Sequence, residues 1–319
     1  MLVTGGAGFI GSVTVAQLRD RGHDVVVVDD LRSGHPELVP DGVTLVQADV
    51  GEPDSFRDVL RGSDACVHFA ASIEAGESMQ RPEAFFANNT AATLRLLQAL
   101  VETDVQRFVL SSTAAVYGDP VHVPISEDDP TRPTNAYGAS KLLIEHALAW
   151  LAQLRDMSCV ALRYFNAAGA TADRGEDHDP ETHLIPLILQ VAAGRRGEIS
   201  VFGTDYDTPD GTCVRDYIHV SDLADAHVRA VEQGGDPGLL VCNLGNGDGF
   251  TVQQVIAVAR DVTGHPIPAR EAPRRAGDPA VLVASAARAR ERLGWKPERS
   301  DLADIVASAW HWHRRRWGV

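Results

Sequence analysis

The chain is short of cysteine, of positive charge and of long apolar runs. Its four cysteines, Cys66, Cys159, Cys213 and Cys242, stand far apart with no C-x-x-C pair. That excludes a disulfide framework and a cysteine zinc site, and it predicts reduced, mostly buried thiols. No stretch approaches the ~20 apolar residues that span a bilayer. No basic segment followed by an apolar one opens the chain. The first residues already read as a strand, so a cytoplasmic protein with nothing to cleave is expected. Lys and Arg number 29 against 44 Asp and Glu, a net charge of −15, which is the wrong sign for a nucleic-acid partner. An acidic chain still binds a phosphorylated metabolite where local amides and a few arginines gather. There is no low-complexity linker and no repeat of roughly 20–50 residues.

What is present is 319 residues, 44% of them hydrophobic and 23% charged, enough for a large core and two structural units. The apolar run Leu2-Val3-Thr4 leads straight into Gly5-Gly-Ala-Gly8-Phe-Ile-Gly11. A helical pattern follows through Val13, Val15, Ala16 and Leu18. Then comes Asp24-Val-Val-Val-Val-Asp29, a β-branched run of the kind that fills a buried parallel strand. In this order of strand, glycine turn, helix and strand, the glycines let the backbone approach a pyrophosphate at a helix N-terminus. Asp29 stands at the end of the second strand, where an acidic residue binds the adenosine ribose. A carboxylate there repels a 2′-phosphate, so NAD is favoured over NADP.

The alternation continues through strand Val43 to Asp49, helix Pro53 to Leu60, strand Ala65 to Ala70, a long helix Pro82 to Thr103 with Asn88 and Asn89, and strand Arg107 to Ser111. It predicts an α/β fold with a doubly wound parallel sheet (Rossmann) and right-handed crossovers, followed by a smaller C-terminal substrate domain. The expected division is 1–165 for the dinucleotide and 166–319 mainly for substrate, with segments near 213–245 returning to the sheet. Ligands of such a sheet sit at the carboxyl ends of the strands, where Asp49, Phe69, Ala70 and Ser111-Ser-Thr113 fall. Asp49 is read either as an acceptor for adenine or as a turn residue. His68, inside an apolar strand, is read as a satisfied core histidine.

Tyr137 and Lys141 lie four apart on one helix face, and an ammonium beside a phenol favours the phenolate. Free Tyr titrates near pH ~10, so it needs that help to act as a base at neutral pH. Thr113 closes the fifth strand, and a proline-rich loop, Asp119 to Asn135, separates it from the helix. Thr113, Tyr137 and Lys141 are therefore expected to converge beside the nicotinamide.

Taken together, Thr4-Gly-Gly-Ala-Gly-Phe-Ile-Gly11, Asp29, Ser111-Ser-Thr113 and Tyr137-x-x-x-Lys141 resemble the extended short-chain dehydrogenase/reductase family. Leu162-Arg-Tyr-Phe-Asn166, the stretch from Val201 to Val220, Asn243-Leu-Gly245 and Ala272 to Asp278 resemble its UDP-glucose 4-epimerase branch, and the likeness covers nearly the whole chain. The resemblance implies that Tyr137 takes the proton from the sugar C4 hydroxyl while the C4 hydride goes to bound NAD. The 4-keto sugar then turns over, and the hydride returns to its other face. Lys141 would lower the Tyr137 pKa and hold the nicotinamide ribose, and Thr113 would relay the proton. The same likeness implies NAD contacts at Gly5, Gly8, Phe9, Ile10, Gly11, Asp29, Asp49, Val50, Phe69, Ala70, Asn88, Lys141 and Phe165. It implies UDP-sugar contacts at Thr113, Tyr137, Asn166, Leu184, Phe202, Arg215, Tyr217, Arg275, Asp278 and Leu282, with Arg215 and Arg275 as diphosphate clamps. A homodimer through the two long helices is also implied.

The chain departs from the family pattern at Ile73, followed by Glu74, where many relatives carry a Lys. Thr113 replaces a frequent Ser and keeps the hydroxyl. Leu282, smaller than a gating Tyr, implies a wider hexose pocket. UDP-glucuronate and UDP-N-acetylhexosamine epimerases are the alternatives within the class. A nucleotide-sugar 4,6-dehydratase is disfavoured because Ala114-Ala115 stand where that reaction needs an acid pair. A non-catalytic NAD-sensing module is disfavoured by the intact Thr113, Tyr137 and Lys141. Ser221 or Asp222 is expected to cap the helix that begins near Val220. No metal is expected: Glu176-Asp-His-Asp179 reads as a solvated acidic loop, and His311 and His313 point to different faces of a last amphipathic helix.

Overall fold

The strands appear in chain order as β1 (Leu2–Thr4), β2 (Val26–Asp29), β3 (Thr44–Gln47), β4 (Ala65–His68), β5 (Arg107–Thr113), β6 (Ser158–Tyr164), β7 (Asn166–Ala168), β8 (Ile199–Phe202), β9 (Val214–Arg215), β10 (Tyr217–His219), β11 (Gly238–Leu244), β12 (Phe250–Thr251), β13 (Ala269–Ala272) and β14 (Val281–Leu282). This computed structural model describes residues 1–319 except Gly234 and Ala276, the latter inside the stretch Ala272 to Asp278. Seven strands pair in parallel in the order β11-β6-β5-β4-β1-β2-β3. The chain winds outward from β1 through β2 to β3, then crosses back to start again at β4. The order therefore reverses between β1 and β4, which opens a crevice outside their carboxyl ends.

Strict alternation of side chains sorts the sheet residues into two layers. Val3, Val27, Val67, Val109 and Val160 face one side, against Val15 and Leu18 of the helix Phe9–Asp20 and Leu223 and Val228 of the helix Val220–Gln233. Leu2, Val28, Cys66, Phe108 and Cys159 face the other, against Leu96 and Leu100 of Ala92–Glu102 and Ile144 and Leu148 of Ala136–Leu154. Each such side chain contributes about 1.5–3 kcal/mol when buried, so a strand apolar on both faces is stable only between two helical layers. All four cysteines are free and buried.

The C-terminal half adds β11 to the edge of the sheet beside β6 and the helix Val220–Gln233 to one face. The rest of it forms a second core, in which Ile188 and Leu189 of the helix Leu184–Ala192 meet Val255 and Ile256 of Val252–Thr263 and Ile305 and Val306 of Leu302–Trp317.

Local details differ from the sequence reading. The segment expected as one helix from Pro82 to Thr103 contains a π-helical turn, Phe86–Ala91. There the Asn89 amide accepts the Ser72 N–H (2.8 Å) and donates to Ser72 O (2.9 Å) and Ser140 Oγ (3.1 Å), tying the loop after β4 to the helix Ala136–Leu154. Pro53–Phe56 is a 3₁₀ turn that leads into the helix Arg57–Arg61. At Val220 the side chain that accepts a first-turn amide is neither Ser221 nor Asp222. His219 Nδ1 takes the Ser221 N–H (3.0 Å), while the Asp222 carboxylate takes the Arg299 N–H (2.9 Å).

Candidate active site

The crevice at the switch point is a cleft of about 420 Å³. Gly5 turns the chain at its floor with a φ of 70°. A Cβ on Gly11 would lie 2.2 Å from Gly5 O, so only glycine lets the helix Phe9–Asp20 start this close to β1. Gly8 caps that helix and has no side chain to offer, which leaves its first-turn amides open toward the cleft. Those amides and the helix dipole make an anion site. Beside it the Asp29 carboxylate accepts the N–H groups of Ala7 (3.0 Å) and Leu31 (2.9 Å). Burial raises its pKa, and these two bonds work against the rise. A bare helix N-terminus next to an oriented carboxylate fits a dinucleotide pyrophosphate and an adenosine ribose.

Thr113, Tyr137 and Lys141 meet at the other end of the same cleft. Asn135 caps the helix Ala136–Leu154 by accepting the Gly138 N–H at 2.8 Å, and this capped turn presents Tyr137. Burial raises the Tyr137 pKa to about 12; hydrogen bonding to Thr113 opposes that rise and the Glu74 charge adds to it. Burial also lowers the Lys141 pKa to about 8, and Glu145 one turn along the helix pulls it back up. The group that opposes the rise at Tyr137 is thus Thr113, where Lys141 was expected. The ammonium is committed instead to the backbone carbonyl of Ser111, 2.8 Å away.

Beneath Lys141 runs a buried polar network. Glu145 pairs with Arg163 (2.5 Å) and accepts from Ser112 Oγ (2.5 Å). Arg163 donates to Tyr117 Oη (2.9 Å), which donates to Asn243 Oδ1 (2.7 Å). These residues come from β5, β6, β11 and two intervening segments, so no local motif announces them.

Most residues expected to hold the dinucleotide line the cleft: Gly5, Gly8, Phe9, Ile10, Gly11 and Asp29 at one end, then Val50, Phe69, Ala70, Asn88 and Phe165, with Asn166 beside them. Asp49 does not. Its carboxylate accepts the Gly51 N–H (2.7 Å) and closes a turn. His68 is a satisfied core residue, its ring bonded to Thr4 Oγ1 (2.7 Å) and Thr93 Oγ1 (2.8 Å). Leu184, Phe202, Arg215, Tyr217, Arg275, Asp278 and Leu282 lie outside the cleft lining. Four of them form two pairs: Arg215 with the Asp278 carboxylate, and Arg275 with its guanidinium 4.1 Å above the Phe202 ring. Leu282 packs near Phe165 against Val116, Tyr117 and Ile125.

Ser111, expected at a strand's carboxyl end, lines the cleft; Ser72 and Tyr164 were not anticipated and are there because one lies in the loop after β4 and the other ends β6. Glu176, His178 and His183 are there too, so the stretch read as a solvated acidic loop is in fact built into the cleft, and the Glu176 side chain is only 6% exposed. The reason is packing: Gly175 lies against Trp312 and Arg316 pairs with Asp177 (2.8 Å).

Residues 1–245 match the model of the NAD dependent epimerase/dehydratase family. The chain belongs to that family. A family member from Streptomyces lividans, a UDP-glucose 4-epimerase, is 53% identical over 315 residues, which cover 98% of this chain and 95% of the relative. The crystal structure of UDP-glucose 4-epimerase from Brucella ovis in complex with NAD superimposes with a TM-score of 0.94 at 44% identity, covering 98% of this chain and 97% of that one. The Stenotrophomonas maltophila enzyme with bound NAD and formylated UDP-arabinopyranose gives a TM-score of 0.95 at 41% identity, covering 99% and 98%.

Proposed function

We propose that the protein is an isomerase, an NAD-dependent UDP-glucose 4-epimerase that interconverts UDP-glucose and UDP-galactose. The observation that carries this reading is the meeting, in one cleft, of the Gly8 helix start and Asp29 with Thr113, Tyr137 and Lys141. Gly5, Gly8, Phe9, Ile10 and Gly11 hold the pyrophosphate, and Asp29 accepts from the adenosine ribose. Val50, Phe69, Ala70, Asn88 and Phe165 wall the rest of the dinucleotide, with Asp49 beside the adenine end. NAD held there would supply a reversible hydride acceptor beside the sugar C4. Tyr137 removes the C4 hydroxyl proton, Thr113 bonds the phenol and passes the proton, and Lys141, anchored on the Ser111 carbonyl, holds the ribose. A general base placed this way contributes about 10²–10⁴-fold.

The C-terminal half, 166–319, supplies the UDP-sugar contacts, among them Asn166, Leu184, Phe202, Tyr217 and Leu282. Arg215 and Arg275 meet the diphosphate, and Asp278 holds Arg215 ready for it. Glu74 lines the cleft and its charge reaches Tyr137, so a sugar carrying a C6 carboxylate is repelled. This favours neutral hexoses over uronates. No helix among the described residues is long and apolar enough to cross a membrane, which accords with a cytoplasmic enzyme. Leu143 (48% exposed), Trp150 (64%) and Leu154 (66%) form one stripe on the helix Ala136–Leu154, and Leu94 (44%) stands on Ala92–Glu102. Large apolar groups left open in one patch mark an interface, and we assign it to a homodimer.

The experiment is a substrate panel of UDP-glucose, UDP-N-acetylglucosamine and UDP-glucuronate with the purified protein and no added cofactor. Conversion of UDP-glucose supports the proposal; turnover of the glucuronate alone rules it out.

A further inference from the structure

Where the loop before the helix Leu184–Ala192 closes the cleft, four side chains converge. Nδ1 of His183 is 2.8 Å from Oε1 of Glu176 and 2.9 Å from Oε1 of Glu181, and Nδ1 of His178 is 3.2 Å from the Glu176 oxygen. One nitrogen or oxygen from each of the four lies within 4.8 Å of the other three. We propose that Glu176, His178, Glu181 and His183 form a binding site for one divalent transition cation of the zinc class. The inference stands on this geometry and is independent of the epimerase reading.

The donor set is the first argument. Two imidazoles and two carboxylates suit zinc and its neighbours, and metal–ligand bonds of about 2.0–2.2 Å place tetrahedral donors roughly 3.3 Å apart. The present separations already bracket that value, so binding requires side-chain adjustment without movement of the backbone. Charge is the second argument. The two carboxylate side chains are 6% and 5% exposed. Two buried carboxylates side by side need a compensating cation. With neutral imidazoles the cluster carries two negative charges, which one divalent ion cancels and which otherwise must be met by protons on the rings.

Rigidity is the third argument. Glu176 and His178 flank Asp177, whose carboxylate is tied to Arg316 (2.8 Å) and whose carbonyl is tied to His35 Nε2 (2.8 Å). Arg174 Nε donates to Leu38 O (2.8 Å). His183 is the last residue before a helix whose core packing is fixed by Ile185 and Ile188. The ligands therefore hang on a segment fastened at both ends. Glu176, His178 and His183 also line the cleft, so the ion would sit in the cleft wall.

The test uses the tag-free full chain, stripped with a chelator and titrated with Co²⁺ as a spectroscopic stand-in for Zn²⁺. The expected result is one equivalent bound, with an intense visible ligand-field band, displaced by Zn²⁺. His183→Ala and the milder His178→Gln should each weaken binding beyond the roughly 10–100-fold that even an outer-shell change costs. Circular dichroism confirms that the variants are folded, and if one of the two fails to fold the other decides. No stoichiometric uptake by the wild type, or uptake unchanged in the folded variant, overturns the assignment.

Discussion

Lys141 Nζ donates to the backbone carbonyl of Ser111 at 2.8 Å, so the ammonium is anchored to the end of a strand while sharing a helix face with Tyr137. Its low exposure, 1%, lowers the pKa to about 8, and Glu145 limits the fall. The chain has only two lysines, Lys141 and Lys296, so the titration can be followed residue by residue. With lysine labelled at Cε, one NMR signal should titrate near pH 8. Replacing Glu145 by Gln should move it lower still.

Tyr137→Phe keeps the ring and removes the base, so kcat should fall by about 10²–10⁴-fold with the fold intact. Thr113→Ser retains the hydroxyl and should stay active, whereas Thr113→Val should lose activity, because Thr113 is the group that opposes the upward shift at Tyr137. Steady-state rates on UDP-galactose separate the three variants.

Arg163 and Glu145 are 6% and 3% exposed at their side chains and are bonded at 2.5 Å. Arg163→Ala leaves the carboxylate buried without its partner, which costs about 3–5 kcal/mol. Urea unfolding should show that loss in the midpoint. It should also show a smaller loss for Tyr117→Phe, which removes one hydroxyl from the same network.

Burial holds His68 at a pKa of about 3 and His219 and His227 at about 4, against 6.5 when exposed. Below pH 6.5 the unfolded chain binds protons at these sites and the folded chain does not. Stability is therefore present in full above pH 6.5 and falls as pH drops toward 4. Asp216, pushed up to about 6 by burial, acts in the opposite sense between its ordinary 3.8 and 6, as do Asp29 and Asp222, which burial also raises, while His313, held at about 4, adds to the histidine effect. The thermal midpoint should decline from pH 6.5 to 4. His227→Leu should flatten the decline, since its Nε2 finds no partner among the described residues.

Much of this was legible in the sequence because the signals are local. The run Val25 to Val28 declares a strand covered on both faces, and the glycines from Gly5 to Gly11 declare the turn after β1. The Tyr137–Lys141 spacing declares a shared helix face. What was not legible depends on packing between distant segments. The direction of Lys141 is set by Ser111, and the support beneath it by Arg163, Tyr117 and Asn243. The chemistry of Glu176 and His183 appears only once the helix Leu302–Trp317 presses on their loop. At Asp49 the sequence left two readings open, adenine acceptor or turn residue, and one carboxylate oxygen closes a turn on the Gly51 N–H.

The most direct test follows the C4 hydrogen itself. UDP-galactose deuterated at C4 is incubated with the purified protein without added cofactor, and the product is examined by NMR. The account predicts UDP-glucose that retains deuterium at C4, with no label in solvent, because the same hydride leaves and returns within one cleft. Loss of deuterium to water, or failure to convert unless fresh cofactor is supplied in stoichiometric amount, would contradict it.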